Sequence, residues 1–465
     1  MKRTKIVATI SDRKCDVEFL KELYEAGVNV VRLNTAHQTL EDAMKVVNNV
    51  RKVSDDIALL IDTKGPEVRT VNIDEPVKVA KGDVVYMSGD LKQNDERMIH
   101  VSYPGFVNDV VVGARVLVDD GDVEFVVYGK DDNRLELIAS NPGVIKNRKS
   151  INVPGENIHL DSLSEKDRTF IEFAIENKLD FIAHSFVRNK QDVEVIQRIL
   201  DEHNSPVKII AKIENQEGVD NIDEILDHVY GVMVARGDLA IEIDAEKIPK
   251  IQRMIVHKCI ESKKPVIVAT QMLHTMIEHP RPTRAEVSDI ANAVFSGTDA
   301  VMLSGETAYG AYPLEAVKVM ARVAEANEPT TPPDSNRNLI RINNEPTAAL
   351  ARVAVRMTTM LPIKAIVIDT VSGRTARYLS AFRGSLPVYV RCYEKRVMRE
   401  LALSFGVEAY FSERPNSRDE FMRGVPQMLL EKGYQPDDQI LVVGGSFGHV
   451  RGASFLEVCK ISDIK

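Results

Sequence analysis

Short apolar runs separated by amphipathic stretches set the rhythm of the chain. Thr4–Ile10, Val28–Leu33 and Ile57–Ile61 read as buried parallel strands. Between them, Asp16–Ala26 has helical spacing, with apolar positions at Val17, Leu20, Leu23 and Tyr24, and stops at Gly27. Leu40–Val53 is a second helix, so the opening pattern is βαβαβ. From about Val68 to Lys149 the rhythm changes to short alternating strands: Val77–Val79, Asp83–Met87, Met98–Val101, Arg115–Val118, Asp122–Tyr128 and Arg134–Ala139. Gly121 and Asp131-Asp132-Asn133 read as hairpin turns, and the stretch predicts a small all-β insertion. The βα rhythm returns with a helix over Ser164–Asn177, opened by a capping box of Ser164 and Asp167. Strands follow at Phe181–Ala183, Val207–Ile213, Gly231–Val234, Pro265–Ala269 and Ala300–Leu303. Helices lie between them at Lys190–Glu202, Asn221–Asp227, Ala245–Ser262 and Thr283–Ser296, and Pro313–Asn327 closes the series. Three strands before the insertion and five after it are what a closed (β/α)8 barrel needs.

The stretch 329–344, with Pro329, Pro332 and Pro333, reads as a linker. Beyond it, a helix at Thr347–Met360 precedes strands at Ala365–Asp369, Pro387–Arg391, Ala409–Phe411, Gln439–Val443 and Leu456–Ile461. Helices at Thr375–Ala381, Lys395–Phe405 and Arg418–Lys432 alternate with them, the pattern of a smaller open α/β domain. The expected class is therefore α/β: a TIM barrel made of 1–67 and 150–328, interrupted by a β-rich domain at 68–149 and followed by an α/β domain at 345–465.

Composition narrows the function classes. At 465 residues the chain is too long for one core. A net charge of −9 argues against nonspecific nucleic-acid binding, while leaving room for local basic clusters that take nucleotides or metabolites. Cys15, Cys259, Cys392 and Cys459 are scattered without metal-ligand spacing and read as thiols of a reducing compartment. No apolar run is long enough for a bilayer. The N-terminus leads straight into a strand and leaves no room for a signal peptide's apolar core. The expectation is a soluble, cytoplasmic protein without a membrane partner.

In a (β/α)8 barrel, strand C-termini meet at one mouth, and chemistry sits there. The expected ends supply Arg32 and Asn34; Asp62, Thr63 and Lys64; Lys212 and Glu214; Asp238; Thr270; and Ser304 with Glu306. The two organising stretches are Lys212-Ile213-Glu214-Asn215 and Ala235-Arg236-Gly237-Asp238, each delivered by an apolar run. Glu214 and Asp238 are hard oxygen ligands suited to Mg2+ or Mn2+. Arg32 can fork onto a phosphoryl group, and Lys212 is a point charge for phosphate oxygens or an enolate. Any one of these residues alone would read as a capped strand end or a surface ion pair. The whole set at one mouth points to a divalent cation and an anionic substrate.

Several longer stretches carry a family resemblance. Thr-Lys-Ile-Val-Ala-Thr-Ile (4–10), Ala26–Asn34, Asp62–Thr70, Ile151–Gly155, Ala211–Gly218, Val234–Leu239, Ala269–Leu273, Pro280–Glu286 and Met302–Ala308 resemble, in order, the motifs of the pyruvate kinase family. The resemblance covers nearly the whole chain. It implies phosphoryl transfer from phosphoenolpyruvate to ADP, giving pyruvate and ATP in the last step of glycolysis. It implies that Glu214 and Asp238 hold Mg2+, that Lys212 stabilises the phosphoryl group in flight and the enolate left behind, and that Arg32 grips the phosphate. Gly237 and Thr270 would hold the carboxylate, and Thr270 would lie near the path that protonates the enolate. Ser304 and Glu306 would support proton supply. Asn34, His37, Arg69 and Lys149 match nucleotide positions, and the β-rich insertion would be the mobile lid. A monovalent K+ site would use Asn34, Asp62 and Thr63. Here Ala36 removes a family hydroxyl while Glu67 is retained, so a water-completed K+ site and loss of the requirement both stay open. Ser11-Asp12 and Gln38 depart from the family on the nucleotide side, and His184 stands where a small residue is common. A phosphate-binding impaired relative and a metal-dependent aldolase or lyase on the same barrel are the competing classes.

Thr370-Val371-Ser372-Gly373-Arg374-Thr375 follows a strand and opens a helix, which makes either an anion cradle or an ordinary N-cap by Ser372 or Thr370. The resemblance implies an effector phosphate there, on Thr370, Ser372, Gly373, Arg374 and Thr375. The glycine-rich Gly444–Gly452 does not match the pattern typical of fructose-1,6-bisphosphate binders, so a sugar monophosphate, a nucleotide monophosphate and a regulatory loop that has lost its ligand all stay open. The family is usually a homotetramer; Thr283–Ser296 and Thr347–Met360 are the helices that could serve such contacts.

Overall fold

The computed structural model describes residues 2–36, 38–92, 97–328, 334, 336–445 and 452–464. Three strands open the chain: β1 (Lys5–Thr9), β2 (Val30–Asn34) and β3 (Ala58–Asp62). The insertion then contributes β4 (Val68–Val71), β5 (Val77–Val79), β6 (Val84–Ser88), β7 (Met98–Val101), β8 (Arg115–Val118), β9 (Val123–Lys130), β10 (Leu135–Ala139), β11 (Gly143–Ile145) and β12 (Ser150–Asn152). Five more follow: β13 (Phe181–His184), β14 (Lys208–Ile213), β15 (Gly231–Ala235), β16 (Val266–Ala269) and β17 (Ala300–Leu303).

β1–β3 and β13–β17 close into one parallel barrel in the order β1-β17-β16-β15-β14-β13-β3-β2, as the strand tally anticipated. The strands are buried on both faces, which is why each reads as an unbroken apolar run. Val7, Val30, Leu60, Phe181, Ile210 and Ile267 fill the barrel interior. Alternate residues, such as Ile6, Val31, Leu59, Ile182 and Ile209, pack against the outer helices. The helix Glu165–Glu176 starts at the expected capping box, with Ser164 and Asp167 bonded to each other's backbone N–H.

The insertion closes into a barrel of its own, β10-β6-β7-β4-β12-β8-β9, with β5 and β11 as a separate pair. β4, β11 and β12 were not anticipated, because each sits beside a Gly/Pro pair (Gly65-Pro66, Pro142-Gly143 and Pro154-Gly155) that reads as a turn. β12 lies past Lys149 and pairs with both β4 and β8, through Ile151↔Val68 and Ile151↔Val118. The sheet thus extends three residues beyond the expected boundary. The turn joining β8 to β9 contains Gly121 at φ +95°, a conformation that favours glycine.

The C-terminal domain is an open sheet of β18 (Ile363–Thr370), β19 (Val388–Cys392), β20 (Val407–Phe411), β21 (Gln439–Gly444) and β22 (Phe455–Lys460), ordered β20-β19-β18-β21-β22. β22 is antiparallel to β21 and the rest are parallel. The helix expected over Arg418–Lys432 breaks into Arg418–Arg423 and Val425–Glu431. Gly424 separates the two, and Pro426 in the first turn of the second has no N–H to continue the earlier ladder. The helix expected over Lys395–Phe405 ends at Glu400 and tightens into a 3₁₀ turn at Leu401–Leu403.

This domain docks beneath the barrel, against the N-terminal ends of its strands, through buried charges. Arg383 pairs with Asp299 at 2.8 Å, and Asp299 also accepts from the Phe405 N–H at 3.0 Å. Asp180 receives Arg399 at 2.6 Å and Arg51 at 3.3 Å. Burial pushes the Asp180 carboxyl up despite these guanidiniums. Glu328 accepts from the backbone N–H groups of Arg3 and Thr4. Among the described residues, no helix is long and apolar enough to cross a membrane.

Candidate active site

The opposite end of the barrel gathers most of the expected strand-end residues. β2 carries Arg32, whose Nε donates to Asp62 Oδ2 at 2.8 Å and whose Nη1 donates to Thr9 Oγ1 at 2.9 Å. β3 ends on Asp62, which therefore holds the guanidinium on one oxygen. Its other oxygen lies 3.2 Å from the Lys212 ammonium at the end of β14. Lys212 is also 2.9 Å from Glu214 Oε1 and donates to Ser185 Oγ at 2.7 Å. Ser185 in turn donates to the Thr63 carbonyl at 2.6 Å, and its N–H bonds Thr63 Oγ1 at 3.0 Å. Arg32, Asp62, Thr63, Lys212 and Glu214 thus form one buried chain of contacts.

Its charge does not balance. Arg32 and Lys212 bring two positive charges, while Asp62, Glu214 and nearby Asp238 bring three negative ones when ionised. Burial works against the Asp62 anion, but Arg32 and Lys212 together outweigh it and hold that carboxyl below its usual value. Burial likewise pulls Lys212 down, yet Asp62 and Glu214 more than reverse this, so its pKa is raised and the ammonium stays charged. The surplus falls on Glu214. Buried at 1% exposure and facing Asp238 and Asp62, it is pushed up to about 8 despite Lys212. Glu214 Oε2 accepts the Phe186 N–H at 2.7 Å, while buried Oε1 meets only the Lys212 ammonium, at 2.9 Å. A divalent cation between Glu214 and Asp238 would satisfy that oxygen and convert the surplus to net positive, which suits an anionic substrate. Among the described residues no cluster of three or more His, Cys, Asp and Glu could hold a metal alone. That agrees with Mg2+, which takes one or two carboxylates and fills its remaining positions with water and substrate oxygens.

The second group lies at the ends of β15 and β16. Gly237 and Asp238 sit in the first turn of the helix Arg236–Glu242. The Gly237 N–H donates to Thr270 Oγ1 at 2.8 Å, and that hydroxyl donates to the Ala269 carbonyl at 2.7 Å. Thr270 and Gln271 have φ of +70° and +54°, a strained conformation for a β-branched residue. Arg236 braces the turn, donating to the Thr270 carbonyl at 2.7 Å while pairing with Asp289 at 2.7 Å.

At the end of β17, both Glu306 oxygens accept backbone N–H groups, from Leu273 at 3.0 Å and Ser304 at 2.8 Å. Glu306 therefore ties two mouth loops together. Ser304 Oγ is buried without a partner. Ser304 and Arg32 line a cleft of about 610 Å³ with Asn34, Asp12 and Gln38. The other nucleotide candidates are placed differently. Arg69 and Lys149 lie on the insertion, paired with Glu67 at 2.6 Å and Asp119 at 2.7 Å. His37 lies outside the described residues. The side chains expected to hold K+ are already engaged: Asn34 Oδ1 accepts the Ala36 N–H, Asp62 holds Arg32 and Lys212, and Thr63 Oγ1 holds Ser185. Each of these side chains keeps further acceptor capacity beside the bonds it makes.

Three residues of the mouth went unassigned in the sequence. Thr9 and Ser185 orient Arg32 and Lys212, and both stand at the end of a strand, so collecting every strand end would have found them. Arg236 lies inside a quoted motif, but its bracing of Thr270 depends on contacts across strands. His184, beside Ser185, is fully buried with both ring nitrogens unpartnered, and burial lowers it to about 4, so it is neutral near pH 7.

Comparison with known proteins agrees with this geometry. The family described as Pyruvate kinase, barrel domain, matches residues 1–317, and Pyruvate kinase, alpha/beta domain, matches residues 348–459. The chain belongs to the pyruvate kinase family. It is 49% identical to a pyruvate kinase of Borreliella burgdorferi over 99% of this chain and 98% of that one. It is 41% identical to a pyruvate kinase of Bacillus licheniformis, over 100% of this chain and 81% of the relative. The crystal structure of a pyruvate kinase from Cryptosporidium parvum superposes with a TM-score of 0.93 at 34% identity, covering 99% and 96% of the two chains. Membership of this family makes the chain a phosphotransferase.

In the C-terminal domain, the effector-loop candidates line a separate cavity of about 660 Å³. Gly373, at φ +73°, caps the helix Arg374–Ala381 without a side-chain bond, and Thr370 Oγ1 accepts the Gly373 N–H at 2.9 Å. Thr370 thus closes a turn rather than capping the helix. Ser372, Arg374 and Thr375 line the cavity, as does Asp369, whose carboxylate accepts from Tyr393 Oη at 2.8 Å.

Proposed function

We propose that this chain transfers the phosphoryl group of phosphoenolpyruvate to ADP, giving pyruvate and ATP. The observation that carries the reading is the buried chain Arg32–Asp62–Lys212–Glu214 at the barrel mouth. Phosphoryl transfer mainly requires alignment and charge neutralisation, and this chain of contacts supplies both. Asp62 and Thr9 lock the Arg32 fork, so little freedom is lost when it takes a phosphate. Lys212 stays charged and meets negative charge that develops on the transferred group and on the enolate. Glu214 and Asp238 would hold Mg2+, which when bound neutralises charge on the phosphoryl and enol-pyruvate oxygens. The Gly237 N–H and the Thr270 hydroxyl would take the substrate carboxylate, exchanging their mutual hydrogen bond for it. Ser304 Oγ, buried and unpartnered, is placed to hold a proton-carrying water, and Glu306 fixes the backbone that presents it. The cleft beside Asn34 takes the nucleotide, with Arg69 and Lys149 approaching from the insertion as a closing lid.

The same reading places the chain in glycolysis in the cytoplasm, as a homotetramer with a regulatory C-terminal domain. Arg374 and Arg414 line the effector-loop cavity beside Asp369, which supports a phosphorylated effector there. For K+, Ala36 removes one hydroxyl while Glu67 is retained, and withholding K+ separates a water-completed site from activity that does not need it. A coupled assay of pyruvate formation tests the whole reading, with ADP, Mg2+ and K+ each withheld in turn. Turnover that needs ADP and Mg2+ is expected. Carbon–carbon cleavage without ADP would establish a lyase instead, and nucleotide binding without turnover would establish a sensor.

A further inference from the structure

A second cavity, of about 330 Å³, lies where the barrel meets the C-terminal domain. Its barrel wall is the segment between the helix Ile248–Glu261 and β16, together with Tyr230 just before β15. Its other wall is the start of the helix Arg374–Ala381. Five cations line it, Lys263, Lys264, Arg341, Arg374 and Arg377, against one carboxylate, Asp227. Asp227 is consumed by Arg341. The remaining four have no acidic partner among the described residues. Lys263 donates to the Arg341 carbonyl at 3.1 Å, and Lys264 to the Val229 carbonyl at 2.5 Å. Arg377 donates to the Ser372 carbonyl at 3.2 Å and lies 5.6 Å over the Tyr230 ring, and its buried Nη1 has no hydrogen bond. Arg374 makes no hydrogen bond or ion pair among the described residues.

Four uncompensated cations facing one enclosed volume repel one another and are partly stripped of water, an arrangement that is unfavourable unless something anionic relieves it. Burial lowers both Lys263 and Lys264 to about 8, and the neighbouring cations add to the effect. The guanidinium forks suit phosphate oxygens, and the lysines act as point charges beside them.

We propose that this cavity is a binding site for a phosphorylated metabolite carrying at least two negative charges, separate from the loop cavity of the C-terminal domain. The two cavities share Asn343, Ser372 and Arg374 as a common wall, so an anion that draws Arg374 to one side withdraws it from the other. The interdomain cavity also sits at the N-terminal ends of β15 and β16, whose opposite ends lead into Asp238 and Thr270. An anion there is one buried strand away from two groups of the mouth.

The test uses the full chain without Mg2+ and inorganic pyrophosphate as the probe. Calorimetric titration should show binding at this site that the double variant Lys263→Gln/Arg377→Gln weakens by about tenfold or more. Thr375→Val, which alters only the loop cavity, should leave that binding in place. Independently of any variant, pyrophosphate should slow acetylation of Lys263 and Lys264 in the wild-type protein, mapped by mass spectrometry. Lys258, which is paired with Asp223 outside the cavity, should react at an unchanged rate. Equal binding by the double variant, or lysine acetylation that pyrophosphate leaves unchanged, overturns the proposal.

Discussion

The two ends of the same barrel both bury charge, and they do so to opposite effect. At the N-terminal ends of the strands, apart from the cationic cavity, the buried carboxylates are matched: Asp299 with Arg383, Asp180 with Arg399 and Arg51, and Glu328 with two backbone N–H groups. At the C-terminal ends one carboxylate is in surplus, Ser304 Oγ lacks a hydrogen bond, and Thr270 is held in a strained turn. Closed networks hold a second domain in place. Open ones are left for a ligand to complete, and strain of this kind clusters where ligands bind.

Variants at the two ends should therefore fail in different ways. Lys212→Met should lower kcat by about a thousandfold or more in a chain that still folds, since it removes the charge that meets the transferred group. Near-normal turnover would refute the assigned role. Asp299→Ala should do the reverse. It leaves Arg383 buried and unpaired, so about 3 kcal/mol of stability should be lost in denaturant titration, with activity per folded molecule retained.

Smaller effects sharpen the contrast. His184 has its pKa lowered from 6.5 to about 4 by burial, so the unfolded chain binds a proton that the folded one refuses. Stability from this residue is present above pH 6.5 and is lost as pH falls toward 4. Between pH 7 and pH 5 the loss should be on the order of 2 kcal/mol, and His184→Ala should flatten that slope. The smallest effect concerns Glu214. Without metal, Glu214→Gln removes the surplus carboxylate and should raise stability near pH 8 by about 1 kcal/mol, while abolishing activity in Mg2+. If the variant is less stable than wild type without metal, the charge imbalance at the mouth is not real.

Much of this was legible in the chain. Strands buried on both faces must be apolar throughout, so all eight barrel strands stand out, and charged residues just beyond them mark the mouth. What was not legible depended on partners far away in sequence. Asp62 also joins Arg32 to Lys212, a pairing across three strands that no spacing announces. Small hydroxyls such as Thr9 and Ser185 look the same whether they orient a catalytic group or merely end a strand. β11 and β12 are three residues each and sit beside Pro142-Gly143 and Pro154-Gly155, which read as turns.

The pairing of β4 with β12 also bears on how the molecule is assembled. The outgoing and returning segments of the insertion lie side by side, with Val68 opposite Ile151. To the barrel, more than eighty residues are spliced in at a single point, with no more separation of the cut ends than a tight hairpin imposes. Such a graft leaves the path from β3 to β13 intact, so a chain in which a brief turn replaces the whole module should still close its eight-stranded ring.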